Sequence, residues 1–255
     1  MAVLILGASS GFGAAAARAF ATAGHDIVGV HLDRRTTLSQ AHAVQEEVQA
    51  LGRRCRLFNV NAADEEARAG VLEALGQDRI EVLLHSLAFG SLAPMVGDPS
   101  ARPRPLTPKQ MTMTLEVMAH SLVWWTRDLV AAGRMGPGGR IFSMTSSGSL
   151  AAIPSYGAVS AAKCALESHT RQLAVELAGH GITANAIMAG VTDTPALRKI
   201  PGVEALKETA VRRNPHGRLT TVEDVAQALV ALSAPGLSWM TGNVIRVDGG
   251  ETLVG

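Results

Sequence analysis

Ala2-Val-Leu-Ile-Leu-Gly7-Ala-Ser-Ser-Gly11-Phe-Gly13 decides the fold of this 255-residue chain. The first five residues form a continuous apolar run, as expected of a strand covered on both faces. Glycines at 7, 11 and 13 follow without a gap, and an alanine-rich helix then extends to about Gly24. Such glycines let the backbone approach a pyrophosphate, and the helix N-terminus offers it free N–H groups. The spacing is G-x-x-x-G-x-G rather than the commoner G-x-G-x-x-G. No Gly-Lys-Ser/Thr follows, so it is not a P-loop. A tight turn with no ligand is the competing reading of the same residues.

The same strand–helix unit recurs outward from there. Ile27–Leu32 reads as a second strand, Thr36–Leu51 as an amphipathic helix, Arg54–Val60 as a strand, Asp64–Leu75 as a helix and Ile80–His85 as a fourth strand. Gly90–Pro108 carries five prolines and no periodicity, which predicts a surface loop. Lys109–Gly133 predicts one long helix, with Trp124 and Trp125 in the core or at a subunit interface. Gly139–Met144, Gly181–Met188 and Asn243–Asp248 read as the remaining strands. Thr221-Val-Glu-Asp reads as the capped start of a late helix. Alternation this regular implies right-handed βαβ units. The expected class is α/β: a doubly wound, seven-stranded parallel sheet of Rossmann type with helices on both faces. With no repeat or linker, residues 1–255 read as a single domain.

Composition narrows the function. Net charge is +1 with no basic block, which argues against a nucleic-acid partner. Cys55 and Cys164 have no C-x-x-C spacing, and the eight histidines show no ligand spacing, so no metal site is expected. Ser9 and Ser10 do not form a G-x-S-x-G elbow. Met1 leads straight into the apolar run with no basic n-region, and no stretch is long enough to span a bilayer. A reduced, cytoplasmic protein with no membrane partner is the expectation.

The acidic residue Asp33 lies twenty positions after Gly13, where a carboxylate can hold ribose hydroxyls. Arg34 and Arg35 beside it could instead hold a 2′-phosphate. NADH and NADPH both remain open. Tyr156, the only tyrosine, lies seven residues before Lys163 in a run suited to a helix starting near Pro154 and continuing through Glu176. Seven residues return to nearly the same helical face, and helical side chains lean back toward the N-terminus. This spacing predicts an ammonium facing a phenol, an arrangement that favours donation to a developing oxyanion. An ordinary helix-start aromatic and a solvated lysine are the bland alternative.

Gly7–Gly13, the Ser146…Lys163 segment, Asn185-Ala-Ile-Met-Ala-Gly190 and Val247-Asp-Gly-Gly250 together resemble the short-chain dehydrogenase/reductase family over nearly the whole chain. Most members place tyrosine four residues before the lysine, where this chain has Val159. A tyrosine seven before, with His85-Ser-Leu-Ala-Phe89 and Ala189-Gly190, is similar to the enoyl-acyl-carrier-protein reductase branch. Ser146 stands where the best-known members of that branch carry a further tyrosine, so the resemblance is to a divergent subtype that keeps serine.

The resemblance implies NAD(P)H-dependent reduction of the C=C bond of a trans-2-enoyl thioester. It implies Tyr156 at the thioester carbonyl, Lys163 at the nicotinamide ribose and Ser146 as an auxiliary group. Gly7, Ser10, Gly11, Gly13, Asp33, Arg34, Val60, Ser86, Ala88, Val191 and Thr194 would line the dinucleotide. It also implies an acyl-carrier-protein-borne substrate and a homotetramer built on residues 109–133, 154–178 and the last strand. Residues 196–220, basic and irregular, are the candidate substrate lid. Leu197, Ile200, Val203 and Leu206 would cover an acyl chain, while Arg198, Lys199, Lys207, Arg212, Arg213 and Arg218 would meet an acidic carrier. The competing functions are a ketone, imine or quinone reductase and a non-catalytic dinucleotide-binding protein.

Overall fold

The computed structural model describes residues 2–98, 100 and 102–254. Met1, Gly255 and two residues of the proline-rich loop, Pro99 and Ala101, lie outside the described residues.

The chain alternates as the apolar runs require. It passes through β1 (Ala2–Leu6), α1 (Gly11–Thr22), β2 (Asp26–His31), α2 (Leu38–Ala50), β3 (Cys55–Asn59), α3 (Glu65–Leu75) and β4 (Ile80–His85). There follow α4 (Pro108–Leu115), α5 (Ser121–Ala131), β5 (Arg140–Ser146), α6 (Gly157–Glu176), β6 (Thr183–Ala189), α7 (Val203–Arg213), α8 (Val222–Leu232) and β7 (Val244–Val247). The seven strands form one sheet in the order β3-β2-β1-β4-β5-β6-β7, and every neighbouring pair is parallel.

Period-two alternation on β1 explains the two helical layers. Val3 and Ile5 point to one face, packing with Phe20 of α1, Val44 of α2 and Leu229 of α8. Leu4 and Leu6 point to the other, with Leu122 and Trp125 of α5 and Leu166 of α6. Each such fully buried side chain contributes about 1.5–3 kcal/mol by removing apolar surface from water. Trp125 belongs to this core, its indole N–H donating to the Ala62 carbonyl at 2.8 Å. The chain reverses its winding between β1 and β4. Their carboxyl ends therefore border the crevice where ligands bind in such sheets.

Three expectations need adjustment. The helix expected over 109–133 is present without a gap from Pro108 to Ala131 but widens into a π turn at Glu116–His120, where the Ser121 hydroxyl donates to the Val117 carbonyl at 2.9 Å. The helix expected from Pro154 begins at Gly157. Ser155 adopts φ 61, which no right-handed helix accommodates, and Tyr156 is the N-cap. Residues 196–220 are ordered rather than irregular: a 3-10 turn at Leu197–Lys199 precedes α7, which carries Glu204 in its first turn and Arg212 and Arg213 in its last. That charge order suits the helix dipole.

Candidate active site

Two adjoining cavities lie along the carboxyl edge of the sheet. The larger, about 700 Å³, runs over Gly7, Ser10 and Gly11 to Asp33, Arg34 and Val60. The smaller, about 400 Å³, is bounded by Ser146, Tyr156, Lys163, Gly190, Val191 and the segment leading into α7. Ser86, Ala88 and Thr194 line both. These residues come from the carboxyl ends of β1 to β6 and from the start of α6, seven separate parts of the chain.

The larger cavity suits a dinucleotide. Ser10 caps α1 with its backbone only, so the first-turn N–H groups keep no side-chain acceptor and remain available to an anion. Gly13 does not line the cavity. A Cβ there would stand 2.0 Å from the Gly7 carbonyl oxygen, so this glycine lets the start of α1 close against the turn. At the far end, Asp33 is fixed by reciprocal bonds with Asn59: its N–H donates to Asn59 Oδ1 at 2.8 Å, and Asn59 Nδ2 donates to its carbonyl at 3.0 Å. Burial alone would raise the Asp33 pKa. Hydrogen bonds from Thr37, Ser9 and His31 outweigh it and hold the carboxyl below its ordinary value. The result is an anionic acceptor aimed at the cavity, with exposed Arg34 beside it.

The smaller cavity holds the reactive groups. Ser146 ends β5; its hydroxyl accepts from Gly148 N at 3.0 Å, and Gly148 also borders the Tyr156 ring. Burial pushes the Tyr156 pKa up, and Ser146 opposes that shift. Lys163 is 5% exposed and its Nζ donates to the Met144 carbonyl at 2.6 Å. Burial pulls its pKa down to about 8 against the opposing charge of Glu167, one turn further along α6. The sequence expectation that the ammonium addresses the phenol directly is thus modified. Lys163 is anchored to the Met144 carbonyl of β5, while Ser146 is the side chain that favours ionisation of the phenol.

Several neighbours were given no role by their residue type or spacing. A Cβ at Gly148 would stand 2.5 Å from Tyr156 Cε1, so only glycine admits the ring there. His85, at the end of β4, is fully buried with Nε2 2.8 Å from Ser121 Oγ. Burial, with the Lys163 charge nearby, draws its pKa down to about 3, leaving a neutral imidazole. Glu167 accepts from Thr145 Oγ1 at 2.6 Å. The Lys-x-x-x-Glu spacing from 163 to 167 was the one available hint of its role.

Of the apolar residues expected over the substrate, Leu197, Ile200 and Leu206 line the smaller cavity and Val203 does not. Most of the basic residues there have partners. Arg198 grips Asp193 with two bonds of 2.9 and 3.0 Å, Lys207 reaches the same carboxylate at 3.1 Å, and Arg218 pairs with Asp224. Lys199 lines both cavities. Among the described residues, no three His, Cys, Asp or Glu side chains converge as a metal site, and no helix is long and apolar enough to cross a membrane.

Comparison with known proteins identifies the family. A family model described as enoyl-(acyl carrier protein) reductase matches residues 7–252. The enoyl-(acyl-carrier-protein) reductase (NADH) of Aquifex aeolicus is 31% identical over 176 residues, covering 69% of this chain and 63% of that protein. The cis-4-hydroxycyclohexanecarboxylate dehydrogenase of Sinomonas cyclohexanicum is 30% identical, covering 98% of this chain and 96% of that one. The crystal structure of the Aquifex aeolicus reductase superposes with a TM-score of 0.83 at 24% identity, covering 99% of this chain and 97% of the other. The family model over residues 7–252 and the Sinomonas relative, matched over nearly its full length, place this chain in the short-chain dehydrogenase/reductase family, within the group described as enoyl-(acyl carrier protein) reductase-like, as an oxidoreductase that uses NAD(H) or NADP(H).

Proposed function

We propose that the protein reduces the C=C bond of a trans-2-enoyl thioester, with Tyr156, Lys163 and Ser146 as its catalytic residues. One observation carries this reading. The only phenol of the chain sits seven residues before the lysine, and Val159, four before it, presents an apolar side chain to the cavity. An alkoxide needs a relayed proton, whereas an enolate needs chiefly a well-placed donor in a dry site.

The nicotinamide, when bound, supplies a hydride to the substrate's β-carbon. Tyr156 donates its O–H to the thioester carbonyl, where negative charge accumulates, and solvent supplies the proton for the α-carbon. Ser146 favours ionisation of the phenol from the end of β5. Lys163, charged and buried, stabilises the same negative charge and binds ribose hydroxyls. Leu92, Met118, Ile153 and Ile200 surround the reacting end with apolar surface, which lowers the local dielectric and strengthens each electrostatic contact. Gly7, Ser10 and Gly11 would hold the pyrophosphate, and Asp33 would take the adenosine ribose. Val60 would meet the adenine, Ser86 and Ala88 the nicotinamide ribose, and Val191 and Thr194 the carboxamide and phosphate.

A second reading is reduction of a ketone, or its reverse. The presence of Ser146 and Tyr156 in one cavity favours it, since a serine–phenol pair also suits a carbonyl substrate, and the Sinomonas relative is named a dehydrogenase. Crotonyl and acetoacetyl thioesters, each assayed with NADH and with NADPH, separate the two. Enoyl reduction predicts turnover of the crotonyl thioester and little of the acetoacetyl one; the opposite ratio selects the second reading.

A further inference from the structure

The loop after β6 forms the wall of the smaller cavity opposite Tyr156, through Gly190 and Val191. The N–H of Val191 donates at 2.9 Å to Oε2 of Glu251, a carboxylate only 8% exposed. Glu251 reaches it from the turn beyond β7, and Asp248 builds that turn. One Asp248 oxygen accepts from Gly250 N at 3.0 Å; the other accepts from Thr252 N at 3.2 Å and Thr252 Oγ1 at 2.6 Å. Asn214 Nδ2 ties the Asp248 carbonyl to the end of α7 at 3.0 Å. The approach depends on Gly190. A Cβ there would stand 2.3 Å from Thr220 Oγ1 and 2.8 Å from Glu251 Oε2. A buried carboxylate is expensive to keep, and this one is spent on a single backbone N–H of the cavity wall.

We propose that Glu251 is a positioning residue for the dinucleotide: by holding the Gly190–Val191 backbone from behind, it fixes the wall against which the nicotinamide half is seated. This rests on the reading that the smaller cavity takes the nicotinamide half, but not on which substrate is reduced. Removing the carboxylate releases the wall and weakens binding of that half. The adenosine half, held some distance away by Gly7–Gly11 and Asp33, is unaffected.

The test is fluorescence titration of the full chain with NADH, NADPH and ADP-ribose, for wild type, Glu251→Ala, Glu251→Gln and Gly190→Ala. Loss of a hydrogen bond to a charged group predicts that Glu251→Ala weakens the preferred reduced dinucleotide about tenfold. ADP-ribose affinity stays within about twofold. Glu251→Gln, whose amide oxygen accepts the same N–H, recovers most of the loss, and Gly190→Ala reproduces it. Unchanged dinucleotide affinity in Glu251→Ala overturns the proposal. So does an equal loss for ADP-ribose, which marks general damage to the fold. A wild-type chain that binds ADP-ribose no more weakly than either complete dinucleotide instead removes the nicotinamide from the smaller cavity.

Discussion

Tyr156 is placed by three neighbours: Ser155 in a left-handed conformation, Gly148 beneath the ring and Ser146 at the hydroxyl. Its phenol is the proposed oxyanion donor, so Tyr156→Phe should lower turnover on the order of 10²–10³ while dinucleotide affinity stays within about twofold. Steady-state kinetics beside a binding titration checks this; unchanged turnover removes the phenol from the chemistry. Lys163 makes a pH prediction. Its folded pKa, about 8, lies below the 10.5 of a free lysine. The unfolded chain therefore binds more protons between those values, so apo stability gains from this group as pH rises through that window. Activity that needs the ammonium moves the other way and falls as pH rises through about 8. Glu167 opposes the downward shift. Glu167→Gln should therefore move the alkaline limb of kcat/KM toward lower pH by about one unit. A limb that stays in place, with Lys163→Met equally unaffected, assigns it to another group.

At the scale of elements, the π turn between α4 and α5 has a consequence for the site. It presents Met118 to the smaller cavity and brings Ser121 to His85. α7 and the 3-10 turn before it are the proposed lid, and the ion pairs refine the docking expectation. Arg198 and Lys207 already neutralise Asp193, whereas Lys199 stands at the mouth of both cavities. Lys199→Glu should raise KM for a carrier-linked substrate several-fold, and more so at low salt. Arg198→Ala should leave it within about twofold. Equal KM values for Lys199→Glu and wild type across a salt series retire α7 as a docking surface.

At the scale of the whole molecule, β7 closes the sheet with one edge open, and the apolar side chains near it are uncovered. Trp239 is 97% exposed, and Leu253 and Val244 are exposed as well. Isolated exposed apolar residues are ordinary, but a tryptophan this bare beside an edge strand fits an assembly surface. The homotetramer implied by family resemblance predicts a single tetrameric species in sedimentation velocity, and Trp239→Ser should shift it toward smaller species. A monomer at working concentration rejects that assembly. The sequence by itself determined the sheet, its strand count and the dinucleotide turn, because apolar runs, glycine spacing and helix caps act over a few residues and leave a local trace. It also marked Tyr156, Lys163 and Asp33, whose residue types and spacing carry chemical meaning. Only the tertiary structure decided that Tyr156 caps its helix, that the Lys163 ammonium is anchored to the Met144 carbonyl, and that Glu251 reaches Val191 across sixty residues. Those contacts join segments remote along the chain, and no periodicity records which remote groups the packing of a sheet and two helical layers will bring together.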